Sequence, residues 1–140
     1  MKQKERPSAG SLLMLELIFA IVFFALAIAV TVSVFGKAFV LSNRAVAVNR
    51  AVAETNDISE MIRSCDSEDE IEALVSKKGM TKQSDGKYEM SYDDGKFLLS
   101  MNAKTEGRLY TASMVCTDTG TGEEVYDILI EHALKGGEDE

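Results

Sequence analysis

The sequence predicts an α+β fold: a long N-terminal membrane-spanning helix packed on a small antiparallel β-sheet of about four strands. Three observations point there. Residues 12–35 form an apolar run broken only by Glu16, Thr31 and Ser33. Past that run, apolar residues keep recurring at helical spacing as far as Ile62. In the last third of the chain, apolar and polar residues alternate in short segments separated by Asp/Gly-rich turns.

The first element is the membrane helix. The 19 residues from Leu17 to Phe35 would rise about 28 Å as a helix, close to the ~30 Å hydrocarbon core of a bilayer. A secretory signal peptide is the rival reading, but its apolar region is usually about 7–15 residues and ends at a small-residue cleavage site. Here the run is longer and continues at helical spacing through Lys37, Ala38 and Leu41. Lys2, Lys4 and Arg6 precede the span, which places the N-terminus in the cytoplasm and the remainder of the chain outside it.

The second element continues the first. Val34, Ala38, Leu41, Ala45, Val48 and Val52 recur at alternating spacings of four and three, and Ile58 and Ile62 extend the stripe with one slip. Arg44, Asn49, Arg50, Glu54 and Asn56 take the other faces. No Pro interrupts the segment, and Gly36 is its one interior glycine. A continuous helix from Leu12 to Arg63 would be about 52 residues, on the order of 78 Å.

A shorter helix follows. Ser67-Glu68-Asp69-Glu70 reads as a capping box with acids in the first turn; Ile71, Leu74 and Val75 supply an apolar face, Lys77-Lys78 the last turn and Gly79 the stop. The remainder reads as strands. Segments 88–92 and 96–101 flank Asp93-Asp94-Gly95, a hairpin signal. Segments 108–117 and 124–132 flank a second turn from Asp118 to Gly122. Tyr126, Ile128 and Ile130 alternate with Asp127 and Glu131, as in a half-buried strand. The expected organisation is a basic leader over 1–10, a transmembrane helix over 11–35 and its amphipathic continuation over 36–64. A short helix plus sheet follows over 65–135, with a disordered tail over 136–140.

Charge narrows the partners. Of 15 Lys/Arg and 23 Asp/Glu, 12 and 21 lie past residue 35, a net charge of −9. Such a segment is a poor match for nucleic acid or an anionic membrane face. No nucleophile elbow, phosphate loop or zinc motif occurs, and no cofactor or catalysis is expected. The lone His132 has no metal-ligand spacing around it and reads as a surface or rim histidine. Asp93 and Asp94 lack the ligand spacing of a calcium loop and are explained by a turn.

Two features carry function. Glu16 places a carboxylate in a spanning segment, at a cost of roughly 2.5–3.5 kcal/mol on insertion scales. The next cation in the helix is Lys37, so its partner is expected on another molecule. The plainer reading is a neutral glutamic acid snorkelling to the headgroups. Cys65 and Cys116 form an even pair in a segment expected outside the cytoplasm, Cys116 sharing a strand face with Tyr110, Ala112 and Met114. Two readings stay open. A disulfide would close a loop of about 50 residues and stabilise by about 2–4 kcal/mol; two buried free thiols are the preferred alternative.

The leader Lys2-Gln3-Lys4-Glu5-Arg6, the small residues Ala9-Gly10-Ser11 and the apolar helix with an early glutamate resemble the type IV pilin-like superfamily. That family comprises pilins and the pseudopilins of type II secretion and competence systems. The resemblance is specific over residues 1–35 and architectural beyond. It implies a leader cut by a prepilin peptidase on the cytoplasmic side, and a methylated N-terminal helix that packs with other pilin-like subunits in a filament core. It also implies that Glu16 neutralises a neighbour's new amino terminus. The family carries its glutamate as the fifth mature residue. Here Glu16 is sixth if cleavage follows Gly10 and fifth if it follows Ser11. The bond between Gly10 and Ser11 is favoured, because Gly is the residue the family prefers there. The expected function is a structural subunit, read as a minor one, of a pilus-like or pseudopilus filament. The alternative is a single-pass membrane protein with an extracytoplasmic binding domain and no filament role.

Overall fold

The computed structural model describes residues 8–135; the basic leader's Lys2, Lys4 and Arg6 and the tail 136–140 lie outside the described residues. Helix α1 runs unbroken over Ala9–Ser64, 56 residues, and starts two residues inside the expected leader. Ser8 opens it, its side-chain oxygen accepting from the Ser11 backbone N–H at 3.3 Å, as an N-cap does. Gly36 does not interrupt the helix. The chain forms two compact units, Met1–Asn43 and Arg44–Glu140.

The first unit holds the apolar part of α1. Its side chains from Leu12 to Leu41 are exposed, Phe23 and Leu41 each to 70%. The window apolar enough to cross a membrane has none of its residues buried, so it is not the core helix of a globule.

The second unit is built by about the last six turns of α1, a second helix and a five-stranded antiparallel meander. Helix α2 spans Glu68–Lys78 and obeys its predicted ends. The Ser67 hydroxyl accepts from Glu70 N–H, and Glu70 Oε2 accepts from Asp66 N–H at 2.9 Å. At the other end Gly79 takes φ 111°, where a side chain would be strained. The Gly79 N–H then bonds to Ser76 and the Met80 N–H to Val75, closing the helix as a Schellman turn. The strands are β1 (Thr81–Lys82), β2 (Tyr88–Tyr92), β3 (Phe97–Glu106), β4 (Leu109–Asp118) and β5 (Glu124–Ala133), in the order β1-β2-β3-β4-β5. The sheet thus has one strand more than expected, the two-residue β1 on its edge. Strand β3 also runs five residues past its expected end at Met101, because Asn102 to Glu106 pair with Leu109 to Ser113 across a tight turn at Gly107.

One face of the sheet supplies the core. Tyr88, Phe97, Leu99, Met101, Tyr110, Ala112, Met114, Cys116 and Ile130 point inward and meet Ala51, Ile58 and Ile62 of α1 and Ile71 and Val75 of α2. Tyr110, Ala112, Met114 and Cys116 share the buried face of β4, as their alternation predicts. The stripe on α1 departs from expectation. Ala51, Thr55, Ile58, Ser59 and Ile62 are buried, whereas Ala45 is exposed and Val48 and Val52 are half-buried. Ile58 and Ile62 are buried as expected; over residues 45–52 the packed face is turned by about one residue, roughly 100°, and the buried face includes two hydroxyls. Thr55 Oγ1 donates to the Ala51 carbonyl at 2.9 Å and Ser59 Oγ to the Thr55 carbonyl at 2.7 Å. Each hydroxyl is satisfied within its own helix and can be buried without a partner from the sheet.

Polar ties pin the helices around this core. Lys78 on α2 reaches Asp57 at 2.9 Å and Glu54 at 3.3 Å on α1, and its bond to Asp57 raises the lysine pKa above its ordinary value. Arg50 pairs with Asp93 in the β2–β3 turn. Thr105 on β3 donates to Glu68 at 3.0 Å. His132 Nε2 donates to the Cys65 carbonyl at 2.9 Å, joining β5 to the end of α1. In the β2–β3 turn Asp93 and Asp94 have φ near 55°, a region Asp tolerates better than most residues.

Candidate functional site: the N-terminal helix

Gly10, Ser11 and Glu16 share the first turns of α1, all exposed. Ser8 caps this end, and no acid stands in the first turn. Glu16 follows Ser11 by five residues, a rise of about 7.5 Å, and Leu12 by four. The four-residue spacing puts Leu12 and Glu16 on one face; five residues turn Ser11 away from it. Leu12, Met14, Leu15, Leu17, Ile18 and Phe19 around the carboxylate are all more than half exposed. Among the described residues no cation lies within ion-pair reach of Glu16. Farther along, Thr31 Oγ1 donates to the Ala27 carbonyl at 2.8 Å, so that hydroxyl is satisfied within the helix and costs little in lipid.

Cys65 and Cys116 are not brought together. Both are free and buried. Cys65 Sγ donates to the Met61 carbonyl at 3.1 Å, and its own carbonyl holds His132. His132 pairs across the sheet with Tyr110, and Cys116 pairs with Tyr126. Six residues of β4 separate Tyr110 from Cys116, about 20 Å at ~3.3 Å per residue. A disulfide needs Cα atoms within ~7 Å. The disulfide reading is therefore incompatible with this register, and each thiol has a local role instead. Cys116 Sγ shares a 2.6 Å hydrogen bond with the Tyr92 hydroxyl, whose ring stacks on Phe97 at 5.3 Å. Burial pushes both thiols above the ordinary cysteine range and makes them poor nucleophiles.

His132 is a half-buried strap rather than a free rim residue. Among the described residues no three His, Cys, Asp or Glu side chains are grouped to hold a metal ion. A cleft of ≈ 80 Å³ beside Tyr110 is lined by Glu68, Glu72, Lys82, Gly86, Tyr88 and Ala103. Lys82 there is bound to Glu72 at 3.1 Å.

The sequence did not point to the ties made by Lys78, Arg50 and His132. Each joins residues that are distant along the chain, and none has a local spacing signal. No protein-family model, curated protein or solved structure matches the chain.

Proposed function

We infer that the chain is a structural subunit of a type IV pilus-like or pseudopilus filament, inserted by α1 and assembled through that helix after its leader is cut. The observation that carries this reading is Glu16, a lone carboxylate two turns into an exposed apolar helix with no in-chain cation among the described residues. The continuity of α1 from the apolar segment into the domain's core helix supports a retained span over a discarded signal peptide. The partners are other pilin-like subunits and a prepilin peptidase, and the membrane is crossed once.

The two cleavage bonds have different consequences for the carboxylate. A cut after Ser11 leaves an ammonium on Leu12, four residues before Glu16 and on its face, where the chain can neutralise itself. A cut after Gly10 leaves the ammonium on Ser11, turned away, and Glu16 must find a neighbour's. The family's fifth-residue glutamate takes the intersubunit role, so that role is compatible with either bond, and the cut after Gly10 makes it obligatory. Co-expression with a prepilin peptidase and mass spectrometry of the N-terminus tests the processing: a chain beginning at Ser11 is expected, and one still carrying Met1 or Lys2 overturns the reading. Glu16→Leu tests the assembly. The variant should reach the membrane at wild-type levels, since the insertion cost is removed, and fall at least tenfold in sheared filament fractions. Wild-type incorporation would leave the glutamate a bystander in assembly, whereas absence of the wild-type chain itself from filament fractions would favour the single-pass binding-protein reading.

A further inference from the structure

The sheet has two edges, and they are built differently. At one, β1 covers β2 with only two residues, Thr81–Lys82. At the other, β5 offers ten residues, Glu124–Ala133, with one side unpaired among the described residues. The Leu134 N–H bonds to the Arg108 carbonyl, which fixes the ladder's phase: Leu134, His132, Ile130, Ile128 and Tyr126 bond inward to β4. Asp127, Leu129, Glu131 and Ala133 then direct their N–H and C=O groups to the open edge. Their side chains lie on the sheet face away from the core, with Leu129 62% exposed between the exposed Asp127 and Glu131. Among the described residues neither carboxylate has an ion-pair partner, and β5 contains no Lys or Arg.

We propose that β5 accepts an extended segment of another protein as a sixth strand, one presenting two cationic side chains on either side of an apolar one. The alternation of strand side chains dictates the pattern: residues opposite Asp127, Leu129 and Glu131 fall on one face, so the partner reads cation-x-apolar-x-cation. Pairing puts a cation across from each carboxylate and covers Leu129, while the backbone supplies the affinity. A second copy of β5 is a poor occupant. Antiparallel self-pairing about Leu129 sets Asp127 against the other copy's Glu131 twice over, and like charges directly opposite are unfavourable. The acids thus bar self-association along the edge and select a basic strand.

The test uses the full chain in dodecyl maltoside micelles. The probe is a fluorescent, end-capped peptide Thr-Lys-Thr-Val-Thr-Arg-Thr, with a control in which Glu replaces Lys and Arg. The basic peptide should bind at least tenfold more tightly than the acidic one. Residue-resolved hydrogen exchange should slow at Asp127, Leu129 and Glu131 and stay unchanged at Ile128 and Ile130, already bonded to β4. The double variant Asp127→Lys, Glu131→Lys should reverse the preference. Leu129→Pro removes an outward N–H that β4 does not use, and should abolish binding while the domain's melting temperature holds. Equal binding of both peptides, or no protection of the outward amides, overturns the proposal. Concentration-dependent protection of those amides without peptide also overturns it, in favour of a second copy.

Discussion

Tyr110 sits at the end of the core, 3% exposed, and burial pushes its hydroxyl pKa up to about 12 from an ordinary value near 10, with smaller contributions from Tyr88, Glu68, Glu72 and Cys65. Below pH ~10 the phenol is neutral in both folded and unfolded chains. Between pH 10 and 12 the unfolded chain gives up the proton and the folded one keeps it, so the folded state binds more protons and stability falls as pH rises. Two pH units correspond to on the order of 2–3 kcal/mol. Tyr92, raised in the same direction chiefly by burial, adds to the loss. The domain's thermal transition should therefore be level up to pH 9 and drop across pH 10–12. In Tyr110→Phe the drop should be visibly shallower, with little change at pH 7. A Tyr110→Phe profile that superimposes on the wild type's would mean the phenol is solvated in the folded protein.

On α1 the element-scale question is which face packs, and two substitutions decide it. Ile58 is wholly buried against the sheet, so Ile58→Ala should cost about 2–5 kcal/mol through lost burial and a residual cavity. Val52 is only half-buried, and Val52→Ala should cost less than ~1 kcal/mol. Denaturant melts of both in one detergent measure the difference, and the reverse order would mean that the Val52 face, not the Ile58 face, carries the packing. The stripe read from sequence had the right period; its Ile58 and Ile62 are buried, while Ala45, Val48 and Val52 lie off the packed face. Apolar counting passes over Thr55 and Ser59, whose hydroxyls bond their own helix and so pack as well as alanine or valine would. The ends of α2 were legible because Ser67 and Gly79 act locally. The same holds for β2, whose turn at Asp93-Asp94-Gly95 is local too. The far half of β3 was not, since Asn102 to Glu106 lack apolar alternation and are held by pairing with β4. The two residues of β1 carry no period at all. Glu16 stands out in sequence as a charge in an apolar run. The open edge of β5 could not be seen there, because edge position is a property of strand order.

At the scale of the whole molecule, orientation in the membrane is the property on which the proposed processing and assembly both depend. The leader contributes Lys2, Lys4 and Arg6, while the other end of the apolar helix is followed by Lys37 and Arg44 and then Arg50. Cations close to the two ends are thus nearly balanced in number, and the leader's are the more concentrated. We propose that they hold the N-terminus in the cytoplasm with a narrow margin, since a following domain rich in carboxylates resists translocation little. Alkaline phosphatase fused after Glu140 reports the side of the membrane, since it is active only outside the cytoplasm. The wild-type fusion should be active. Replacing Lys2, Lys4 and Arg6 together by Gln should lower specific activity several-fold, as a share of the chains inserts the other way round. Restoring any two of the cations should recover most of it. Full activity in the triple variant would mean that the leader does not set the topology, and that the length of the apolar helix and the fold of the domain determine it instead.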